Sequence, residues 1–309
     1  MSLKTTATVN EFLSTYAFGL MQDRLKAFDL ANTLCPIVEV GGATGTYKIY
    51  DDRNAFAAPD TARALGGPRN IVQADATDGT YVCKPQGLNI GLDDYEIAQA
   101  GTRGPDLPRL KLKKLLNAKA TAYSKQVVDF VFANLTAVAG SGNWSANDVD
   151  PLDQLDEQLD AISLDTGTAE NKAIVMGVSE WRKLRMNTKA KARLGVKDGM
   201  SITTENLATG LLYPVKLIIS SSVVTVTKPG QATVTKSRLM GGYCVIVHTA
   251  PNPSEDDASA FKCFSTSSVL VDGVREYRNE DNNSTMYPVD WDQDIKKTGS
   301  ACARLLAIT

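Results

Sequence analysis

Two runs, Pro36–Asp51 (PIVEVGGATGTYKIYD) and Tyr81–Leu92 (YVCKPQGLNIGL), carry the argument about architecture. In the first, Val38 and Val40, then Tyr47 and Ile49, fall on alternate positions; in the second, Leu88, Ile90 and Leu92 do. That alternation marks half-buried strands. The residues between, 52–78, are rich in Ala, Asp, Gly and Pro. Two extended arms joined by a long polar tip predict a large hairpin-like excursion. About sixteen extended residues reach about 50 Å at roughly 3.3 Å each, longer than most globular cores, so such an arm needs another surface to lie on.

Downstream, Asp106-Leu107-Pro108 reads as a helix start, with an N-cap carboxylate and Pro in the first turn. Leu112, Leu116, Tyr123, Val127, Phe130 and Val131 recur on one side, with no Gly or Pro before Gly140. The helix is expected to reach Asn134, roughly 43 Å at 1.5 Å per residue. Ala139-Gly140-Ser141-Gly142 then marks a domain boundary. An α/β-like run follows. Asp150-Pro151 caps a helix with the stripe Leu152, Leu155, Leu159 and Ile162, and Lys172–Val178 is a buried strand. Ser179 is expected to cap a helix bearing Trp181 and Leu184; 204–212 reads as a short helix and 213–220 as a strand. Residues 221–236 form a hairpin around Lys228-Pro229-Gly230-Gln231, and Gly242–Thr249 is a buried strand. Short strands close the chain from Phe261, with 301–308 an apolar strand or short helix. Upstream, Thr8-Val9-Asn10-Glu11 reads as a capping box before an amphipathic helix over 9–30.

The 309 residues carry 33 Lys+Arg against 35 Asp+Glu, a formal net charge of −2. A dedicated nucleic-acid binder needs a basic excess to displace counterions. With 43% hydrophobic and 22% charged residues the chain reads as a soluble globular protein. No run approaches the ~18 apolar residues of a membrane span, and the polar stretch Met1–Asn10 has no apolar signal core, so synthesis in a cytoplasm and no membrane partner are expected. Cys35, Cys83, Cys244, Cys263 and Cys302 are scattered and read as reduced core residues. A histidine-based triad or metal site would have to pass through His248, the one histidine. It ends an apolar strand, about 13 Å by strand rise from Cys244 on the same face, so a structural histidine is expected.

Asp150, Asp153, Asp156, Glu157 and Asp160 recur on one helix, where a carboxylate pair or divalent-metal site competes with a solvated face near the positive helix end. The solvated face is the expectation. Arg182, Lys183, Arg185, Lys189, Lys191, Arg193 and Lys197 form a basic run. Arg109, Lys111, Lys113, Lys114, Lys119 and Lys125 punctuate the long helix. Solvation is the plain reading of both groups, and mating with acidic patches such as 150–160 between subunits the functional one. Asp153, Asp156, Glu157, Arg182, Lys183, Arg185, Lys189 and Lys191 are therefore candidate intersubunit contacts. The Gly-rich 41–46 lacks the Lys and following helix of a phosphate loop, and no GxSxG, HExxH or GxGxxG occurs. No catalytic residue, cofactor or metal is assigned, and a non-enzyme is expected.

The order of elements, with the local text IVMGVSEWRKL (Ile174–Leu184), LLYPVKLIIS (Leu211–Ser220) and the closing stretch Phe264–Ile308, resembles the major capsid protein of tailed bacteriophages. That α+β architecture is the Hong Kong 97 type capsid fold, shared with encapsulins. The resemblance implies an N-terminal arm at 1–35, an extended E-loop β-hairpin at 36–104 and a peripheral (P) domain with its spine helix at 105–145. It further implies an α/β axial (A) domain at 146–255 and return strands of the P domain at 256–309. It implies self-assembly through E-loop, N-arm and A-domain contacts, as pentamers and hexamers, into an icosahedral head enclosing double-stranded DNA. The location would be the virion after synthesis in a host cytoplasm. Portal, scaffolding and decoration proteins would be partners, and packaged DNA would be touched weakly and non-specifically. With no acidic helical segment before the arm, scaffolding would be a separate protein or absent. Some members cross-link a Lys of the E-loop to an Asn of a neighbouring P domain; here Lys48 and Lys84, with Asn279, Asn282 and Asn283, supply that inventory, and non-covalent burial is the default. The alternatives are an encapsulin-like nanocompartment shell and, from another class, a soluble hydrolase using the 150–160 carboxylates.

Overall fold

The long helix, Leu107–Asn134, spans 28 residues, about 42 Å at 1.5 Å per residue. The computed structural model describes residues 8–9, 13, 29–50, 58, 61–63, 65–67, 69, 76–100, 106–139, 142–146, 148–197, 200–227, 231, 233–250, 252–255, 257, 259–267, 274–299 and 301–308. Leu112, Leu116, Tyr123, Val127 and Val131 are buried along the helix at intervals of four or seven, as the sequence pattern predicts. Pro108 sits in the first turn, but the Asp106 carboxylate makes no capping hydrogen bond, contrary to expectation. Asp106 itself has helical backbone angles, which turn its side chain away from the free amides.

This helix packs on a sheet built around β13 (Ser284–Lys297). The order is β1 (Thr8–Val9), β12 (Arg275–Asn279), β13, β11 (Phe261–Ser265), β2 (Ile37–Glu39), with β5 (Lys84–Asp93) also on β13. The β5–β13 ladder is antiparallel and runs from Lys84 opposite Gln293 to Asp93 opposite Ser284. Thr8 and Val9 pair with Glu276 and Arg275, so the expected capping box at Thr8 does not form. Pairing on an open sheet edge satisfies these backbone groups instead. Leu13 is helical and buried and residues 29–34 are helical; most of the expected 9–30 helix lies outside the described residues.

A second sheet has the order β14 (Ala303–Ala307), β10 (Tyr243–His248), β6 (Lys172–Gly177), β7 (Val215–Ser220). Its β6–β10 centre is buried on both faces. Ala173, Val175, Val245, Val247, Ala303 and Leu305 join the core under the long helix. Ile174, Met176, Cys244, Ile246 and Leu306 join a second core beneath helices Pro151–Thr166 and Val178–Met186. Burial on both faces explains continuous apolar runs where a one-sided sheet would alternate. Each such side chain contributes about 1.5–3 kcal/mol relative to exposure.

Two expectations change here. The resemblance implies that the closing strand lies with the return strands of 256–309, whereas β14 pairs antiparallel with β10 in the second sheet. Cys302, Ala303, Leu305, Leu306 and Ile308 are buried, and an apolar strand of this kind is satisfied only in a sheet covered on both sides. Ser179 does not cap its helix. That helix opens at Val178 with Gly177 in the cap position, and the Ser179 hydroxyl donates to the Glu180 carboxylate at 2.7 Å. Only glycine fits there, because a Cβ would lie 2.0 Å from the Met240 carbonyl oxygen and 2.3 Å from Glu180 Oε2. The Asp150 cap is as expected: its carboxylate accepts from the Leu152 and Asp153 amides at 3.0 and 3.5 Å.

Candidate assembly interface

The excursion read from the sequence is a two-stranded antiparallel ribbon, β3 (Thr44–Tyr50) against β4 (Ala76–Val82). The projecting part is narrower than 36–104, since β2 and β5 are laddered into the central sheet. Most of its tip, 51–75, lies outside the described residues. At its root, Tyr47 and Tyr81 both stack on Phe264, with ring centroids at 5.1 and 4.6 Å. Each tyrosine lies across a glycine of the opposite strand, Tyr81 over Gly45 and Tyr47 over Gly79. A Cβ on Gly45 would sit 2.3 Å from Tyr81 Oη, and one on Gly79 2.4 Å from Tyr47 Cζ. Val38, Val40 and Cys83 complete this small core. The Val82 amide donates to Asp294 at 2.8 Å, and the Cys83 thiol to the Phe264 carbonyl at 3.4 Å. Burial pushes the Cys83 thiol up to about 11, so it stays protonated and unreactive.

Of the cross-link candidates, Lys48 is exposed on β3 and ion-paired with Asp78, its cross-strand neighbour. Lys84 is exposed at the start of β5. Asn279 ends β12, and its side chain accepts from the Asp281 amide at 3.1 Å. Asn282 and Asn283 are exposed in the turn before β13, Asn283 with φ 44°. Lys84 and this turn stand at opposite ends of the β5–β13 ladder, about 30 Å apart at roughly 3.3 Å per residue. The fold does not bring Lys84 and the asparagines together within one subunit.

The acidic and basic runs meet inside one subunit, through Arg193. Its guanidinium lies 3.6 Å from Asp150, 3.8 Å from Asp153 and 2.6 Å from Asp156. Asp156 also accepts from the Leu212 amide at 2.9 Å, and Asp160 from the Tyr213 hydroxyl at 3.1 Å. The inner edge of the acidic face thus ties its helix to its own domain. Asp153 keeps 80% of its side chain exposed, and Glu157 is exposed. Among the basic candidates, Arg182 is exposed and Lys183 and Lys191 are half-buried. Arg185 is half-buried over the Trp181 ring at 5.9 Å, and Lys189 donates to the Asp148 carbonyl. The basic run to which Arg193 belongs is expected to mate with the 150–160 acids between subunits; the pairing that Arg193 makes is within one subunit.

The long helix holds one surprise. Lys119, grouped with the solvated residues that punctuate it, is 1% exposed. Its ammonium has no hydrogen-bond partner and sits 4.3 Å from the Trp291 ring centroid on β13. Burial pulls it down to about 7, against the opposing pull of the Asp290 carboxylate. His248 is buried in β10 with Nδ1 unpartnered, and burial is the main cause of its lowered pKa. Cys244, on the same strand face, has its thiol pushed well up by burial. A neutral histidine and a protonated thiol are core groups, as expected of them. Among the described residues no helix is long and apolar enough to cross a membrane, and no cluster of three or more His, Cys, Asp or Glu could hold a metal.

No family model matches the sequence, and no curated protein matches it. Solved structures do. A phage-related protein from Bordetella bronchiseptica RB50 superposes with a TM-score of 0.71 at 17% identity, covering 97% of both chains. The virus-like particle from Pyrococcus furiosus gives 0.57 at 10% identity, covering 96% of this chain and 98% of the other. The capsid of the cyanophage P-SCSP1u gives 0.55 at 10% identity over 89% and 86%. At such identities the likeness is one of fold, and it extends over nearly all of this chain. A ribbon excursion, a long helix on a β13-centred sheet and a separate sheet buried on both faces are together the Hong Kong 97 type capsid fold, and this chain has it.

Proposed function

We propose that the chain is a capsid subunit, copies of which assemble as pentamers and hexamers into an icosahedral phage head around double-stranded DNA, its place being the virion. The observation that carries this reading is the β3–β4 ribbon. It is clamped at its root by Phe264 and pairs only with itself among the described residues. A ribbon with unpaired edges gains most of its packing from a neighbour. Many weak repeated contacts under closed symmetry then make a durable shell. The exposed acids Asp153 and Glu157 and the exposed Arg182 would add contacts between A domains. Portal, scaffolding and decoration proteins would bind the assembled surfaces, and packaged DNA would meet the wall weakly. The work is assembly, with no catalytic step. Support comes from the fold likeness to solved structures that include the capsid of the cyanophage P-SCSP1u and a phage-related protein.

Negative-stain microscopy of the expressed chain tests it: hollow shells, tubes or capsomers are expected. Deleting residues 52–78 should leave a folded subunit that forms none of them. Normal shells from that variant would overturn the role of the ribbon, and a wild type that stays monomeric at every concentration would overturn the capsid reading. Denaturing gels of the shells should show a single band near the chain mass of 33.2 kDa, because Lys48 is already paired with Asp78 and association is non-covalent.

A further inference from the structure

A second ribbon, β8 (Val223–Thr225) with β9 (Lys236–Arg238), is a sheet of its own. Its pairing continues past the strands, where the Val226 amide donates to the Thr235 carbonyl at 3.0 Å. Its base leans on the long helix around a cavity of about 200 Å³ lined by Ala120, Ser124, Val224 and Leu239 among others. Val223, at the base beside the cavity, is 45% exposed, and Val226 and Val234, farther out, are 62% and 61% exposed. Valine and threonine are stable in strands because of what they pack against, and an isolated two-stranded ribbon is marginal in water.

The charge is as one-sided as the apolar surface is bare. No Asp or Glu occurs between Glu205 and Glu255, whereas Lys216, Lys228, Lys236 and Arg238 do. The rest of the chain is therefore more acidic than its overall −2. Two such ribbons repel, which disfavours a symmetric pairing of ribbon with ribbon. Nucleic-acid phosphates would satisfy the cations but leave the valines in water.

We propose that the β8–β9 ribbon docks, head to tail, on an acidic surface of a second copy of this chain, burying its valines and pairing Lys236 and Arg238 with carboxylates. This rests on the capsid reading and adds a contact to it. A head-to-tail contact whose rotation closes makes a ring, which is the geometry that pentamers and hexamers need.

The test is the full chain carrying Lys236→Glu and Arg238→Glu. It should keep the wild-type circular dichroism and melting temperature, while the concentration needed for assembly, read by sedimentation velocity, rises by about tenfold or more. A second variant, Val226→Ser with Val234→Ser, should shift assembly the same way without touching charge. Unchanged assembly in both variants overturns the proposal. Particles that form normally but lose nucleic acid overturn it too, and reassign the ribbon to phosphate binding. A wild type that never assembles overturns the capsid reading itself, a result distinguishable from either.

Discussion

The two ribbons, β3–β4 with strands of seven residues and β8–β9 with strands of three, differ in how they are held. The first is gripped at its root: two tyrosines, each lying over a glycine of the facing strand, close on one phenylalanine. Removing the Cβ at Gly45 and Gly79 makes room for the rings, so the glycines serve packing there rather than turn geometry. The second ribbon has no such clamp; its base touches the long helix and its outer valines face water. An anchored ribbon has its direction set by its own subunit. An unanchored one is positioned by whatever covers it.

Breaking the clamp should have the largest effect. Phe264→Ala removes the ring on which both tyrosines stack and should cost about 3–5 kcal/mol, read as a lower urea midpoint. If the midpoint barely moves, the root is not the anchor and the contrast between the ribbons fails. Next comes the long helix, on which the base of the second ribbon leans. Lys119 binds its proton less tightly when folded, near 7 against about 10.4 in the unfolded chain. Between these values the unfolded state holds more protons, so stability rises with pH through that window. The stabilisation is complete above about 10.4, is lost as pH falls through 7 and is level below that. Lys119→Met should remove that slope and raise the unfolding free energy at pH 7 by an amount on the order of a few kcal/mol, with little change at high pH. Equal slopes in wild type and variant between pH 7 and 9 would dismiss the buried, unpartnered amine. The smallest effect is expected at the free ribbon, where Val226→Thr should change subunit stability by less than about 0.5 kcal/mol, because the side chain is exposed before assembly. A larger loss would mean that the ribbon is already packed within the subunit.

Periodicity made much of this legible. The alternation around Val38, Ile49 and Leu88 announces strands, and the spacing from Leu112 to Val131 announces the helix, because each pattern reports which side chains leave water. What was missed depends on partners distant in sequence. Thr8 and Val9 carry a capping pattern, yet β12 offers them a sheet edge. Lys119 looks like any solvated lysine until Trp291 is laid over it. Arg193 gains its meaning from three aspartates on another helix. The absence of acids between Glu205 and Glu255 was in plain view, but it becomes informative only once the segment is seen to include a ribbon with bare valines.

Only Cys83 separates β4 from β5, while four residues, Val40–Ala43 with Gly41 and Gly42 among them, separate β2 from β3. One connection into the body is a single residue and the other a short loop. The longer connection is tied down as well, its Val40 amide donating to the Ser265 carbonyl at 2.9 Å and its Ala43 carbonyl accepting from the Cys83 amide at 2.7 Å. The angle at which the excursion leaves the subunit is thus concentrated at a single residue, whose thiol is held by the carbonyl of the same phenylalanine that seats the tyrosines. Under the proposed assembly, any difference in that angle between copies would fall on this residue rather than on the two large cores.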